Sequence, residues 1–299
     1  MKTMKQNCCA LLAAFIWGTA FVAQSTCAEY LGPFSVNALR SIIATAVLAV
    51  IVLISRKTGL STVKVKDKKY NKRLLIGGIL CGTALAAATN LQQAGLAETG
   101  AGKAAFITAM YVVIVPVLGL FLKKKAGGNV WLAVAMSIVG FYFLCLYGEG
   151  FSLAPGDLLV LLCSILYAVH ILIIDHFGDV DGIELSCVQF AMVTVISSVC
   201  MFIFETPTME AIIPCILPIL YIGVFSSGVA YTLQIIAQKD ANPTVITLLL
   251  SMESVFAVVA ERVVPGRNAA PLMWWEILGC VIIFTSVILS QINFKKTVA

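Results

Sequence analysis

The sequence predicts an all-α polytopic membrane protein, with ten transmembrane helices arranged as two inverted five-helix repeats. Three observations support this class: the composition, the number of long apolar segments and a weak internal repeat. Hydrophobic residues fill 60% of the 299 positions and charged residues only 12%, and the mean hydropathy is +0.99. Because a soluble domain usually carries about 25% charged residues, this chain has too little polar surface for water and is suited to lipid.

Each transmembrane helix needs about 20 mostly apolar residues. Ten segments meet this requirement, and each is bounded by charge, Gly or Pro: 8–28, 34–55, 74–94, 101–122, 129–147, 156–176, 184–205, 214–236, 244–264 and 272–292. The longest connection, 56–73, is too short for a soluble catalytic domain. The first segment follows a basic start, as a secretory signal does, but it has a counterpart later in the chain, so we expect it to be retained.

The basic residues predict the orientation, because Lys and Arg collect on the cytoplasmic side of membrane proteins. With the N-terminus inside, sixteen of the 20 cations lie inside: Lys2, Lys5, Arg56, Lys57, Lys64, Lys66, Lys68, Lys69, Lys72, Arg73, Lys123, Lys124, Lys125, Lys239, Lys295 and Lys296. Both termini are therefore expected on the cytoplasmic side of the plasma (cell inner) membrane. The segment 175–184 is acidic, without Lys or Arg, and is neutral for orientation. We attribute the basic loop to topology and lipid contact, with no nucleic-acid partner.

The two halves of the chain resemble one another weakly. Residues 16–18 align with 166–168 at an offset of 150, 38–40 align with 187–189 at 149, Gly78 aligns with Gly223, and 105–121 align with 247–263 at 142. The halves, 1–147 and 148–299, hold five segments each, and an odd number inverts the second half relative to the first. Secondary transporters commonly have this plan, with a substrate site near the midplane where the halves meet.

Short motifs in the same order over nearly the whole chain resemble the drug/metabolite transporter superfamily, in particular its ten-span EamA-type exporters. The segments that carry the resemblance are 14–21 with Trp17-Gly18, 37–40, 99–108 with Val115-Pro116, 156–159, 166–168, 223–231, 242–244 and 251–256. Two positions depart from the family pattern. Gly266-Arg267 stands where a Gly-Glu pair usually ends the ninth span, and Ser254 follows Glu253 where Pro is frequent.

The resemblance implies a permease that moves a small organic metabolite or drug across the plasma membrane, most often as an exporter, by alternating access. Protons drive some members of the superfamily and are the expected coupling ion if this chain is coupled. The alternatives are a sugar-phosphate or nucleotide-sugar exchanger of the same superfamily and a non-transporting membrane scaffold. The exchangers need several basic residues in the cavity, and Arg40 alone is too few.

Two ionisable residues within the spans are the first candidates for function, because charge in hydrocarbon is costly and usually faces a cavity or a partner. Glu253 lies near the predicted midplane and is the candidate for proton coupling; its structural alternative is a glutamate that ties helices together. Arg40 can bind a substrate carboxylate through its planar fork. Alternatively, Arg40 extends to the outer headgroups.

Aromatic and amide side chains supply the remaining candidates for a substrate cavity. Trp17 and Tyr167 occupy matching positions in the two halves and are expected to form an aromatic clamp, with helix packing as the alternative. His170 follows Tyr167 by about one turn and is more often a structural histidine. The other polar candidates, for which interhelical hydrogen bonds are the alternative, are Asn90, Gln93, Tyr231 and Gln234.

Catalysis and metal binding are poorly supported by the sequence. The chain has two histidines, no CxxC pair and no acidic pair near the predicted midplane, so we expect no enzyme activity, no cofactor and no metal site. A channel would need a selectivity filter or a ring of charge, and the sequence suggests neither. A permease is the function that the sequence favours.

Overall fold

The computed structural model describes residues 2–58, 67–99, 101–123, 126–147, 154–264 and 272–291. The helices are α1 Lys2–Ala28, α2 Pro33–Thr58, α3 Lys68–Thr99, α4 Ala101–Thr108, α5 Tyr111–Phe121, α6 Gly128–Cys145, α7 Pro155–His176, α8 Gly182–Phe204, α9 Met209–Gln238, α10 Pro243–Leu250, α11 Glu253–Val263 and α12 Trp274–Gln291. No strand occurs in these ranges. Several residues used above lie outside them: Lys64, Lys66, Lys124, Lys125, Gly266, Arg267, Lys295 and Lys296.

Nine helical segments of the described chain are long and apolar enough to cross a membrane, and Gly128–Leu144 is a shorter apolar helix. The distribution of side chains fits a lipid environment. Large apolar side chains face outward, such as Phe121 at 82% exposure and Phe202 at 79%, while many polar side chains are buried between helices. The all-α polytopic class is confirmed, whereas the count of ten spans and the inverted arrangement stay predictions.

Local sequence explains where several helices begin. Pro33, Pro155 and Pro243 lie in the first turn of α2, α7 and α10, where a missing N–H costs nothing. Asn242 caps α10, because its side-chain oxygen accepts a hydrogen bond from Thr244 N at 2.9 Å. In the same way Asp181 accepts from Ile183 N at 3.0 Å at the start of α8.

The two halves of the chain pack into each other instead of forming separate lobes. Helix α2 packs on α8, α3 on α7 and α8, α6 on α12, and α1 on α11. Small residues allow close approach at these crossings. A Cβ placed on Gly18 of α1 would lie 2.4 Å from Phe256 Cβ and 2.7 Å from Glu253 O of α11. The glycine of the Trp17-Gly18 pair is therefore required by the α1–α11 contact.

Two predicted spans, 101–122 and 244–264, are broken near their middles. The first is interrupted between α4 and α5, and the second between α10 and α11. The two residues before the new helices have nearly the same backbone angles, with φ −59° and ψ −15° at Met110 and φ −58° and ψ −14° at Met252. The breaks are 142 residues apart (252 − 110), which is the repeat offset that the sequence indicates for this region.

Glycine contacts revise one position of the internal alignment. A Cβ on Gly223 would meet Ile43 Cβ at 2.9 Å and Arg40 O at 3.1 Å. A Cβ on Gly82 would meet Met192 Cβ at 2.6 Å and Gln189 O at 2.5 Å. Because Arg40 and Gln189, and Ile43 and Met192, are both 149 residues apart, Gly82 is the contact equivalent of Gly223. Within the predicted repeat these contacts favour a match of Gly82 with Gly223 over the match of Gly78 with Gly223.

The acidic segment 175–184, which gives no information on orientation, lies against two arginines at one end of the bundle. Arg56 Nε donates to Glu184 Oε1 at 2.9 Å, and Arg73 Nε lies 2.5 Å from Asp179 Oδ2. The hydrogen bond from Arg73 holds the pKa of the Asp179 carboxyl below its usual range. The segment therefore shares one end of the molecule with Arg56 and Arg73, and two of its four acids, Asp179 and Glu184, pair with these arginines.

Candidate substrate pocket

A pocket opens beside the two helix breaks, between the first and second halves of the chain. It encloses about 430 Å³ of space not filled by atoms, including the part that is open to the outside. Its walls come from nine of the helices and both halves contribute: Trp17, Phe21, Gln24, Arg40, Gln92, Thr108, Tyr111, Tyr167, Ile171, Ser226, Tyr231, Gln234, Leu250 and Glu253. Aromatic and aliphatic surface with a few convergent polar groups is typical of a small-molecule site.

Glu253 and Tyr111 face each other across the two breaks. Each is the first residue of the helix that follows its break, and Tyr111 OH donates to Glu253 Oε1 at 2.9 Å. Glu253 is only 4% exposed. The N-terminal turn of α11 is favourable for a negative side chain, because the helix dipole is positive there. The break therefore allows a carboxyl group to occupy the interior of the bundle.

Arg40 is buried in the pocket wall at 3% exposure. Its Nε donates to Ser227 Oγ and its Nη1 donates to Gln24 Oε1, both at 2.9 Å. The reading in which Arg40 extends to the outer headgroups is therefore wrong, because neighbouring α1 and α9 supply acceptors that hold the guanidinium inside. Both acceptors are neutral, so the positive charge of Arg40 is solvated by dipoles and not by a carboxylate.

Aromatic side chains form a connected wall across the pocket. Trp17 and Tyr231 have ring centroids 4.7 Å apart, and Tyr231 OH donates to Tyr167 OH at 3.2 Å. Tyr167 OH in turn donates to Gln92 Oε1 at 3.1 Å. Trp17 and Tyr167, the predicted clamp, both lie on the pocket wall, but Tyr231 stands between them as the third member. The binding role of these rings stays a prediction.

A π-helical stretch in α9 accounts for the position of this wall. Residues Ile222–Ala230 wind as a π-helix and end directly before Tyr231. Trp17 Nε1 donates to Ser226 O within this stretch at 3.2 Å. A π-helical segment leaves backbone carbonyls available to other donors and is frequent at functional sites. The hydrogen bond from Trp17 thus joins the first half of the chain to this π-helical stretch of the second half.

Three predicted cavity residues do not line the pocket. Asn90 donates to Ser197 Oγ at 3.0 Å and Gln93 donates to Gln24 O at 3.0 Å, so both join helices behind the wall. His170 is fully buried, and its Nε2 lies 3.1 Å from Gln189 Oε1. These three residues, which were predicted to line the cavity, therefore do not lie on its wall. Their side chains lie on faces of α3 and α7 that pack against neighbouring helices.

Sequence reasoning identified six wall residues and missed the others. Trp17, Arg40, Tyr167, Tyr231, Gln234 and Glu253 were predicted and lie on the wall. At the repeat offset of 142 Tyr111 is the counterpart of Glu253, and that alignment is the signal that could have added it. Gln92 is adjacent to the predicted Gln93, and a shift of one residue on α3 exchanges a wall position for a packing position.

Comparison with known proteins agrees with this architecture. The model of the EamA-like transporter family matches residues 4–146 and again 154–291. An "Uncharacterized transporter" of Archaeoglobus fulgidus is 28% identical over 288 residues, which cover 94% of this chain and 84% of the relative. A solved structure described only as "Crystal structure of protein" shares the fold, with a TM-score of 0.74, 19% identity and 96% coverage of both chains. The chain therefore belongs to the EamA-like transporter family and is a membrane transporter of the drug/metabolite transporter superfamily.

Proposed function

We propose that the protein exports a small organic molecule across the plasma membrane by alternating access, with the substrate bound in the pocket beside the two helix breaks. The main support for the proposal is the composition of the pocket wall. Both halves contribute residues to this wall, and it lies beside the two broken helices. Secondary transporters bind substrate where discontinuous helices meet near the midplane. The direction of transport rests on the resemblance to EamA-type exporters.

The proposal includes an inverted repeat of 1–147 and 148–299, with ten spans and both termini in the cytoplasm. Contacts between equivalent residues support it. Tyr111 and Glu253, 142 residues apart, bond to each other, and Thr45 Oγ1 lies 3.1 Å from Thr194 Oγ1 at the offset of 149. Such contacts are expected where equivalent helices cross at a pseudo-two-fold axis. The separate family matches to 4–146 and 154–291 give further support.

Glu253 is the proposed site of proton coupling in this carrier. Its carboxyl group is buried, its bond to Tyr111 leaves Oε2 without a described partner, and it lies on the pocket wall. A buried carboxylate needs a proton, a cation or water, because an isolated negative charge in hydrocarbon is costly. Protonation that differs between the two open states of the carrier would couple proton movement to export.

An exchanger of sugar phosphates or nucleotide sugars is less well supported than an exporter. Phosphate groups need several cationic contacts, and Arg40 is the single basic residue on the described pocket wall. An enzyme is also disfavoured, because the family assignment is to transporters. We therefore treat the pocket as a carrier site.

Reconstitution tests the transport function directly. Purified protein is reconstituted into sealed vesicles that are loaded with a mixture of candidate metabolites. The release of each compound is then measured with and without an imposed pH gradient. Protein-dependent release of at least one compound, accelerated by the gradient, is the expected result. Empty vesicles and vesicles with heat-denatured protein are the controls. No release above these controls for any compound would favour the scaffold alternative.

A further inference from the structure

A second cavity lies at one end of the bundle, where the start of α1, the turn between α7 and α8 and the end of α9 meet. Its lining comes from residues within 5–6, 178–182 and 235–239, and we call it the end cavity. It encloses about 720 Å³ of space not filled by atoms, including the part that is open to the outside. No described residue lines both this cavity and the pocket beside the helix breaks, so the two sites are separate.

The end cavity lies at the depth of the lipid headgroups. Its residues from α1 belong to the first turn of a span-length apolar helix, Met4–Ala28, and Lys239 directly follows another, Met209–Gln238. The other lining residues lie near the end of α9 or in the turn between Pro155–His176 and Gly182–Phe204. Because transmembrane helices begin and end where hydrocarbon gives way to headgroups, a cavity built from such ends is accessible to lipid headgroups.

The lining combines an aliphatic surface with two positive charges. The aliphatic surface consists of Val180, Ile235 and Ile236, and the charged side chains are Lys5 and Lys239. Neither lysine takes part in a salt bridge of the described chain, and no described carboxylate lines the cavity. The end cavity is therefore complementary to a molecule with a negative head and an apolar tail.

Two acidic side chains in the neighbouring turn have partners other than these lysines. Asp179 Oδ2 lies 2.5 Å from Arg73 Nε of α3. Asp181 Oδ1 accepts hydrogen bonds from Ile183 N at 3.0 Å and Glu184 N at 3.2 Å, at the start of α8. Because both carboxylates are held by these contacts, the charges that line the end cavity are positive.

Packing around the end cavity leaves space for a ligand beside one glycine. A Cβ on Gly182 would meet Ile235 Cγ2 at 3.2 Å, so this glycine allows α8 to pack on α9. A Cβ on Gly178 would meet only Asp175 O, at 3.4 Å, so the space beside it is otherwise open. Gln6 Nε2 donates to Lys239 O and thereby joins α1 to the end of α9. The cavity is thus enclosed by elements that contact one another.

From this arrangement we propose that the end cavity binds an anionic phospholipid, with its phosphate group at Lys5 and Lys239 and the first part of an acyl chain on the aliphatic surface. Basic pockets between transmembrane helices on the cytoplasmic side bind anionic headgroups, and the basic residues predict that this end is cytoplasmic. A soluble phosphate compound would satisfy the lysines but leave the aliphatic surface in water. Lys5 belongs to the first half of the chain and Lys239 to the second, so the headgroup strengthens the contact between the halves.

Lipid titration of the purified full-length protein in a neutral detergent tests the ligand class. Phosphatidylglycerol is compared with phosphatidylcholine of the same acyl chains and with glycerol 3-phosphate, which has the phosphate without the chains. Native mass spectrometry measures the bound fraction, and the melting temperature measures stabilisation. We expect phosphatidylglycerol to bind at least about tenfold more tightly than phosphatidylcholine and to raise the melting temperature, whereas glycerol 3-phosphate does neither.

Lysine variants assign the binding to the end cavity. Lys5→Gln and Lys239→Gln should each weaken phosphatidylglycerol binding by about fivefold, and the double variant by about 25-fold, because each lysine near an anionic headgroup contributes independently. The matched controls are Lys57→Gln and Lys72→Gln. Both of these lysines are exposed at the same end of the bundle but do not line the cavity, so binding should be unchanged.

A variant that fills the end cavity tests the site without a change of charge. Gly178→Leu would extend a side chain into the open space beside Gly178, so phosphatidylglycerol binding should fall. Gly128→Leu is its control, since a Cβ there would meet nothing within 4 Å and Gly128 lies outside the lining. The melting temperature of each variant without added lipid shows whether it is folded.

Three results would overturn the inference. Equal binding of phosphatidylcholine and phosphatidylglycerol would remove the role of charge, and equal binding of glycerol 3-phosphate would assign the cavity to a soluble anion. Binding of phosphatidylglycerol to the Lys5→Gln, Lys239→Gln double variant as tightly as to the wild type would place the lipid elsewhere. None of these results bears on transport, because flux is measured separately in vesicles.

Discussion

At the scale of single residues, the notable feature is that the two helix breaks each place a polar side chain at the first position of a new helix. Tyr111 and Glu253 thereby meet in the pocket. In a continuous α-helix Glu253 would not lie at the positive end of a helix dipole, so a carboxyl group there would have less favourable electrostatics. The chemistry of the pocket therefore depends on the breaks as much as on the residues.

Replacing Glu253 by Gln tests the coupling role. Glu253→Gln keeps the acceptor for Tyr111 OH but cannot titrate, so we expect pH-driven flux to be lost while the protein remains folded. Flux with and without a pH gradient, together with the melting temperature, measures both effects. Glu253→Ala is expected to lower the melting temperature as well, because it leaves the buried Tyr111 hydroxyl without its acceptor. Normal pH-driven flux in Glu253→Gln would refute the role.

Truncating Trp17 tests the aromatic wall. Trp17→Ala removes the ring that stacks on Tyr231 and the donor to Ser226 O, so transport is expected to fall by about tenfold or more at low substrate concentration. The control is Phe121→Ala, which truncates an aromatic residue that is 82% exposed on the outer surface. Initial rates over a range of substrate concentrations measure the difference. Equal rates in the wild type and Trp17→Ala would place the substrate elsewhere.

At the scale of helices, close crossings determine which residues reach the pocket. Gly18 brings α1 onto α11 beside Glu253, and Gly223 brings α9 onto α2 beside Arg40. Gly18 follows the wall residue Trp17 in sequence, and Gly223 lies against the backbone of the wall residue Arg40. Because glycine has no side chain at these crossings, the first and second halves come close enough to share a single pocket.

Adding one methyl group at Gly18 tests this crossing. Gly18→Ala would place Cβ 2.4 Å from Phe256 Cβ, which forces the helices apart, and we expect a loss of stability of about 1–3 kcal/mol together with reduced flux. Gly128→Ala is the matched control, since its Cβ would meet nothing within 4 Å. Melting temperatures of both variants in the same detergent measure the effect. Equal values would show that the α1–α11 contact relaxes without cost.

The Arg73–Asp179 pair joins α3 to the segment between α7 and α8 and gives a pH dependence. Its hydrogen bond lowers the folded-state pKa of Asp179, so its stabilisation is present above the unfolded-state pKa of about 3.9 and is lost as pH falls through the lowered value. Asp179→Asn should be slightly less stable than the wild type at neutral pH, and the difference should vanish in acid. Melting curves across pH measure it. A difference that persists at the lowest pH would assign it to another contact.

At the scale of the whole molecule, the charges indicate which end faces the cytoplasm. Arg56, Arg73, Glu184 and Asp179 cluster at one end, where α2 ends and α3 begins. The other end carries Glu205, which accepts from Phe34 N at 3.0 Å and Ser35 N at 2.7 Å at the start of α2. By the positive-inside rule we expect the first end to face the cytoplasm.

Labelling of single cysteines tests this orientation. In a variant without its native cysteines, Lys57→Cys should react with a membrane-impermeant maleimide only after the cells are opened, whereas Glu210→Cys should react in intact cells. Both side chains are exposed, so access and not burial decides the outcome. Reaction of Lys57→Cys in intact cells would reverse the predicted topology.

By itself the sequence determined the class of the protein, the approximate positions of its spans and the residue types of its pocket. Composition and apolar length suffice for this, because the cost of exposing charge to lipid acts on each segment separately. The halves of the chain were likewise visible as a repeat. Six of the predicted residues, including Arg40 and Glu253, lie on the pocket wall. For the two ionisable ones the reason is that a charged side chain within a span has few other places to go.

Only the tertiary structure decided which face of each helix turns towards the pocket. Gln92 lies on the wall and Gln93 behind it, and Asn90 and His170 bond to neighbouring helices, although all have similar chemistry and depth. The break residues, Met110 and Met252, are neither Gly nor Pro, so the local sequence did not predict the breaks. A helix's rotation and interruption depend on the side chains packed against it from distant parts of the chain, and a single segment does not contain that information.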